Sequence, residues 1–130
     1  MSPNVAQKQL QLLTKEINTI YAEVLETLLK KYPKVELRVE GNQEYNDNDY
    51  SNHIYFYVDD FRLDEYTLED EYSEDKERIS EFKQKGIDLE EILEHLYIIP
   101  QSFWNDYYGS SFEVKINLTF IKKLKKGFHG

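Results

Sequence analysis

Lys34-Val35-Glu36-Leu37-Arg38-Val39-Glu40 decides the fold class. Val35, Leu37 and Val39 fall on one side of an extended chain, and Lys34, Glu36, Arg38 and Glu40 on the other. A period of two with charge on one face is the pattern of a strand half exposed to water. The residues just before it follow a different period. Ala6, Leu10, Leu13, Ile17, Ile20 and Val24 are spaced alternately four and three apart, which draws one stripe along a helix. Leu12, Tyr21, Leu25, Leu28 and Leu29 widen that stripe. Ser2 suits the N-cap, Pro3 the first helical position, Lys30 and Lys31 the C-terminal dipole end, and Pro33 stops the helix. A helix over 3–31 measures about 43 Å at ~1.5 Å per residue. It either lies across a whole sheet or projects at one end to pair with another copy.

Towards the C-terminus, residues 41–52 are polar and rich in Asn and Asp, the composition of a loop. His53 to Val58 alternates again, with Ile54, Phe56 and Val58 opposite Tyr55 and Tyr57. A short strand fits residues 61–66. Ser73 can cap a helix that ends near Gly86. Asp88 at an N-cap, Glu91 three residues on, and Ile87 with Ile92 as a staple predict a helix running to about Tyr97. Phe103, Trp104, Tyr107 and Tyr108 form an aromatic turn or short helix before a last strand at 111–120, with Phe112, Val114, Ile116, Leu118 and Phe120 facing in.

The expected fold is α+β. A small, mainly antiparallel sheet of three or four strands packs against the long N-terminal helix and a shorter second helical segment, in α-β-β-α-α-β order. The chain of 130 residues is expected to be a single domain, 1–130, with acidic loops near 42–52 and 59–75 and a basic tail at 121–130. A hydrophobic share of 40% suffices for a core and argues against disorder. With no Cys, disulfide frameworks and thiolate chemistry are excluded. Residues 1–7 lack the features of a signal peptide and no window suits a membrane span, so a cytoplasmic location is expected.

The charge is concentrated. Residues 59–75 hold nine acids and one Arg, a net charge of -8 against a total of -9. Residues 122–126 supply four lysines, so the tail is net +4 and residues 1–120 carry -13. Like charge packed this closely needs solvent, ions or a basic partner. Interleaved Tyr side chains can anchor a protein interface. The candidate partner-binding residues are therefore Asp47, Asp49, Tyr55, Tyr57, Asp59, Asp60, Asp64, Glu65, Tyr66, Glu69, Asp70, Glu71 and Tyr72.

Catalytic patterns are weak. Asp47, Asp49 and Ser51 open like a calcium loop, but Asn52 and Val58 stand where its Gly and closing Glu belong. Glu113-Val114-Lys115 matches a short nuclease pattern without a partner Asp beside it. His53, His95 and His129 have no ligand spacing, and with five Gly there is no phosphate-binding loop. No cofactor or metal is expected, and no enzymatic activity. The expected function is a non-enzymatic acidic protein-binding module that inhibits a basic nucleic-acid-binding protein without touching nucleic acid or membrane. Phage anti-defence (anti-CRISPR) proteins, nucleic-acid mimics and immunity proteins work in this way. The alternative is a structural or regulatory homodimer assembled through the helix at 3–31, its acidic loops merely solvated.

Overall fold

The computed structural model describes residues 1–46, 49–64, 68 and 74–127, with the backbone alone for Asn46, Asp49 and Tyr50. The elements are α1 (Pro3–Lys31), β1 (Leu37–Asn46), β2 (Asp49–Val58), β3 (Phe61–Leu63), α2 (Lys76–Gln84), α3 (Leu89–Leu96), α4 (Gln101–Tyr108), β4 (Phe112–Ile116) and α5 (Leu118–Lys125). The expected α+β class stands, with one more strand, one more helix after the Asp88-capped one, and a closing helix. The sheet has order β3-β2-β1-β4, and every pairing is antiparallel.

The local signals around both capped helices act as expected. The Ser2 hydroxyl accepts from the Val5 N–H at 3.3 Å, and the Asp88 carboxylate from the Glu91 N–H at 3.1 Å. Each satisfies a first-turn donor that the helix itself leaves open. The cap proposed for Ser73 lies outside the described residues; the helix there begins at Lys76, with Asp75 as N-cap.

Three expectations are corrected. First, residues 42–46 and 49–52, expected as loop, are strand. β1 runs on from Glu40 to Asn46 and pairs with β2 from Asp49 onwards, in a register where Asn42 faces His53 and Glu44 faces Ser51. Polar residues of low strand propensity hold the extended form here because each finds a cross-strand neighbour. β1 also starts at Leu37, later than Lys34, and β3 ends at Leu63, earlier than Tyr66.

Second, the strand placed at 111–120 stops at Ile116. Asn117 caps α5, its side-chain oxygen accepting from the Phe120 N–H at 2.9 Å. Phe120, Ile121 and Leu124 are buried at helical spacing, whereas Leu118 is 63% exposed. The alternation through Phe120 was accidental, and much of the supposed basic tail at 121–130 is this helix.

Third, the stripe of α1 faces away from the core over its first half. The helix buries Asn18, Ala22, Leu25 and Leu28. Leu10, Leu13, Ile17 and Ile20 remain 62, 53, 45 and 56% exposed. The small Ala22 lets the helix approach the core closely, so the contact line is set by Ala22 and Leu25 and not by the branched residues beside it.

One core joins these elements. Leu37, Val39, Phe56, Val58, Phe61, Leu63 and Ile116 from the inner face of the sheet join one core with side chains of the five described helices. Fully enclosed Trp104 of α4 sits at the join, edge-on to Phe103 at 5.0 Å and stacked on Phe120 at 5.7 Å. Where β1 parts from β4 a glycine makes room: a Cβ on Gly41 would lie 2.2 Å from the Phe112 ring, which crosses the strand at its register partner.

Candidate partner-binding surface

The outer face of the sheet begins from alternation: the side chains opposite the core ones on β1, β2, β3 and β4 must emerge together. They are Arg38, Glu40 and Glu44, then His53, Tyr55 and Tyr57, then Arg62, then Glu113 and Lys115. Of the sequence-named site residues, Tyr55 and Tyr57 lie here, and both are engaged within the chain. The Tyr55 hydroxyl donates to Glu44 at 2.6 Å, and the Arg62 guanidinium lies 4.3 Å above its ring. Arg38 lies 4.3 Å above the Tyr57 ring. The bond to Glu44, then desolvation, raises the Tyr55 pKa above its usual 10.0, because ionising the phenol would set two anions together. His53 stacks on Tyr55 and contacts Glu44 at 3.5 Å.

Glu36 and Glu113 are matched by bases, whereas Glu40 accepts from the Asn42 amide at 3.0 Å. Arg38 approaches Glu113 at 3.7 Å, and Lys115 approaches Glu36 at 3.5 Å. The Glu113 and Lys115 of the nuclease-like pattern are thus each paired with a residue of the opposite charge.

Asp59 has a structural role. It takes a positive φ of 54°, donates its N–H to the Glu36 carbonyl at 2.7 Å, and accepts the Glu36 N–H on its carboxylate at 3.0 Å. This double contact clamps the β2–β3 turn to the start of β1. Asp60 is exposed in the same turn, and Asp64 approaches Arg62 at 3.6 Å. The backbone of Asp49 opens β2. Asp47, Glu65, Tyr66, Glu69, Asp70, Glu71 and Tyr72 lie outside the described residues.

What the sequence reading missed is that the acidic surface continues past residue 75. Half-buried Leu68 accompanies Ile79, Lys83, Ile87 and Leu89 in lining a hollow between α2 and α3, and Phe61 of β3 packs on Phe82 of α2 at 5.7 Å. Leu68 and β3 are thereby placed beside the two helices. Exposed there are Glu74, Glu77, Glu81, Glu90 and Glu94, none of which makes an ion pair among the described residues. Residues 59–96 hold 15 acids and 5 bases, a net charge of -10, which leaves +1 for the rest of the chain. That count alone could have shown the surface to be larger than the run at 59–75.

Glu91 of α3 differs from its neighbours. It takes Lys31 at 2.6 Å and the Tyr32 hydroxyl at 3.3 Å, and so ties α3 to the end of α1. The Lys31 contact holds the Glu91 carboxyl below its usual range, and Glu91 in turn raises the Lys31 pKa; both directions describe one ion pair. No group of three or more His, Cys, Asp or Glu able to hold a metal occurs among the described residues, and none of the described helices is long and apolar enough to cross a membrane. The chain matches no protein-family model, no curated protein and no solved structure.

Proposed function

We propose that this chain is a non-enzymatic protein-binding module whose acidic end engages a basic surface of another protein, of the kind that otherwise receives nucleic acid. The observation that carries this reading is the partition of charge. On the sheet face Glu36 and Glu113 meet cations of the same chain, while on α2 and α3 the exposed Glu77, Glu81, Glu90 and Glu94 have no ion pair among the described residues and follow the most acidic stretch of the sequence. Unmatched like charge raises the local potential, steers a cationic partner and disfavours an anionic one.

A capture experiment tests it. Wild type runs beside a variant with Glu77→Lys, Glu81→Lys, Glu90→Lys and Glu94→Lys, four exposed positions that leave the core untouched. A basic nucleic-acid-binding protein should be retained by wild type, released by salt well above ~0.15 M where screening shortens to below ~8 Å, and lost from the variant. Equal retention by both baits, or retention indifferent to salt, removes the acidic end from the account.

A further inference from the structure

We propose that the projecting half of α1 is a dimerisation arm, which pairs antiparallel with the same arm of a second copy. Over residues 3–17 only Ala6 is even half-buried. A free helix of this length is marginal in water even for strong helix formers, so an unsupported arm needs a surface to lie on. The arm also carries that surface. Ala6, Leu10, Leu13, Ile17, Ile20 and Val24 keep the alternating four-three spacing of a coiled-coil seam across 19 residues, about 27 Å at ~1.5 Å rise. The seam lies about a third of a turn from the Asn18, Ala22 and Leu25 line that meets the core, so a partner can reach it without displacing the protein's own packing. Leu10 also borders a groove of about 850 Å³ between α1, Tyr107 and Lys126, which extends the open apolar surface to the point where the arm leaves the body.

Two observations choose a second copy, and its direction. The seam is complementary to itself when reversed: Ala6 meets Val24, Leu10 meets Ile20, and Leu13 meets Ile17, each layer occurring twice. The small residue thus falls opposite a half-buried one and the large ones opposite each other. Charge agrees. The first 15 residues carry Lys8 and Lys15 with no acid, whereas residues 16–25 carry Glu16 and Glu23 with no base. Antiparallel pairing sets the cationic half of each helix beside the anionic half of the other and opposes the two helix dipoles. A parallel pair would set like halves side by side. Reversal also places the two bodies at opposite ends of the shared helices, so that neither body occupies the other's place.

Sedimentation analysis of the intact chain should give twice the chain mass, falling to the single mass in Leu13→Glu with Ile17→Glu. The near-ultraviolet circular dichroism of the core aromatics should be retained. Should the doubly charged variant lose its fold, Leu10→Gln with Leu13→Gln gives the same reading without added charge. Because the native chain has no Cys, single thiols report direction. Leu10→Cys mixed with Ile20→Cys should yield a cross-linked heterodimer, and Leu10→Cys alone should not. A wild type that stays at the single mass, or a dimer that survives both variants, overturns the arm; efficient Leu10→Cys self-linking overturns the antiparallel pairing. The four Lys substitutions in α2 and α3 should leave the mass unchanged. Loss of the dimer with salt-sensitive capture intact would therefore sink this proposal alone, and the reverse result only the acidic-end reading.

Discussion

Two arms leave the body of this protein, and they are built on opposite terms. One is the helical arm, residues 3–17 of α1. The other is the ribbon of β1 and β2 beyond Gly41, the last residue at which β1 still has β4 beside it. The ribbon is polar, its described side chains partner one another, and the Gln101 side chain of α4 ties it to the body by donating to the Asn52 carbonyl at 2.7 Å. Glu44 accepts from Tyr55, Asn42 donates to Glu40 at 3.0 Å, and Ser51 contacts His53 at 2.8 Å. The helical arm satisfies its backbone internally but leaves a row of Leu and Ile in water. The contrast teaches that projection alone does not mark a binding surface: an arm whose side chains partner one another offers little to cover, whereas an apolar one offers a surface that burial would stabilise.

The sharpest test of that contrast uses one substitution at two places on one helix. Leu25→Ala, at a fully enclosed position, should cost roughly 2–5 kcal/mol of folding stability. Leu13→Ala should stay within ~0.5 kcal/mol when measured by urea unfolding at low chain concentration, where association contributes nothing. Equal costs would mean that Leu13 is packed against the chain's own body. At the root of the ribbon, Gly41→Ala should cost about 1–3 kcal/mol, because the Phe112 ring must yield to the new methyl. A neutral result in the same unfolding assay would show that the ribbon is not seated on β4.

Smaller effects probe what holds each arm's base. Tyr55→Phe removes the bond to Glu44 and should cost at most ~0.5–1.5 kcal/mol, at the low end because Glu44 is exposed to water. In wild type the phenol is harder to ionise in the fold than in the open chain. Its contribution is therefore full below pH 10.0 and declines as pH rises through the folded value, which a spectroscopic titration of wild type against Tyr55→Phe would show. The acid side runs the other way. Lys125 and then Lys30 hold the Glu26 carboxyl below 4.5, and Lys31 holds Glu91 there. Folded values below the unfolded ones give stability that is present above pH 4.5 and lost as pH falls through the folded values. Thermal melts across the acid range should fall less steeply in Glu26→Gln and Glu91→Gln than in wild type.

What could be read from the sequence was what neighbours in the chain decide. The Ser2 and Asp88 caps act within three residues of themselves, and Phe112, Val114 and Ile116 alternate because one sheet face is buried. What escaped depended on distant partners. Residues 42–46 look like loop until Tyr55 and His53 are brought across from them. Periodicity placed Leu10, Leu13 and Ile17 on one face but could not say which face would meet the sheet, since that was settled by Ala22 and its neighbours. Of the candidate site, the acidity was legible from composition. The occupation of Tyr55 and Tyr57 by Arg62 and Arg38 was not, because it joins three strands. Nor was the structural use of Asp59, which is fixed by a backbone contact to Glu36, 23 positions away.

One continuous helix serves both the core and the arm, with no proline between Pro3 and Lys31 to act as a joint. A rod clamped at one end behaves as a gauge. In the proposed antiparallel dimer the overlap of the two rods would set how far apart the acidic ends stand, and stiffness would keep that distance from wandering. The pair would then favour targets whose basic patches repeat at a matching interval, and for them the second contact follows the first at high effective concentration. Adding or removing whole helical turns from the arm would retune the interval while leaving each binding surface as it is.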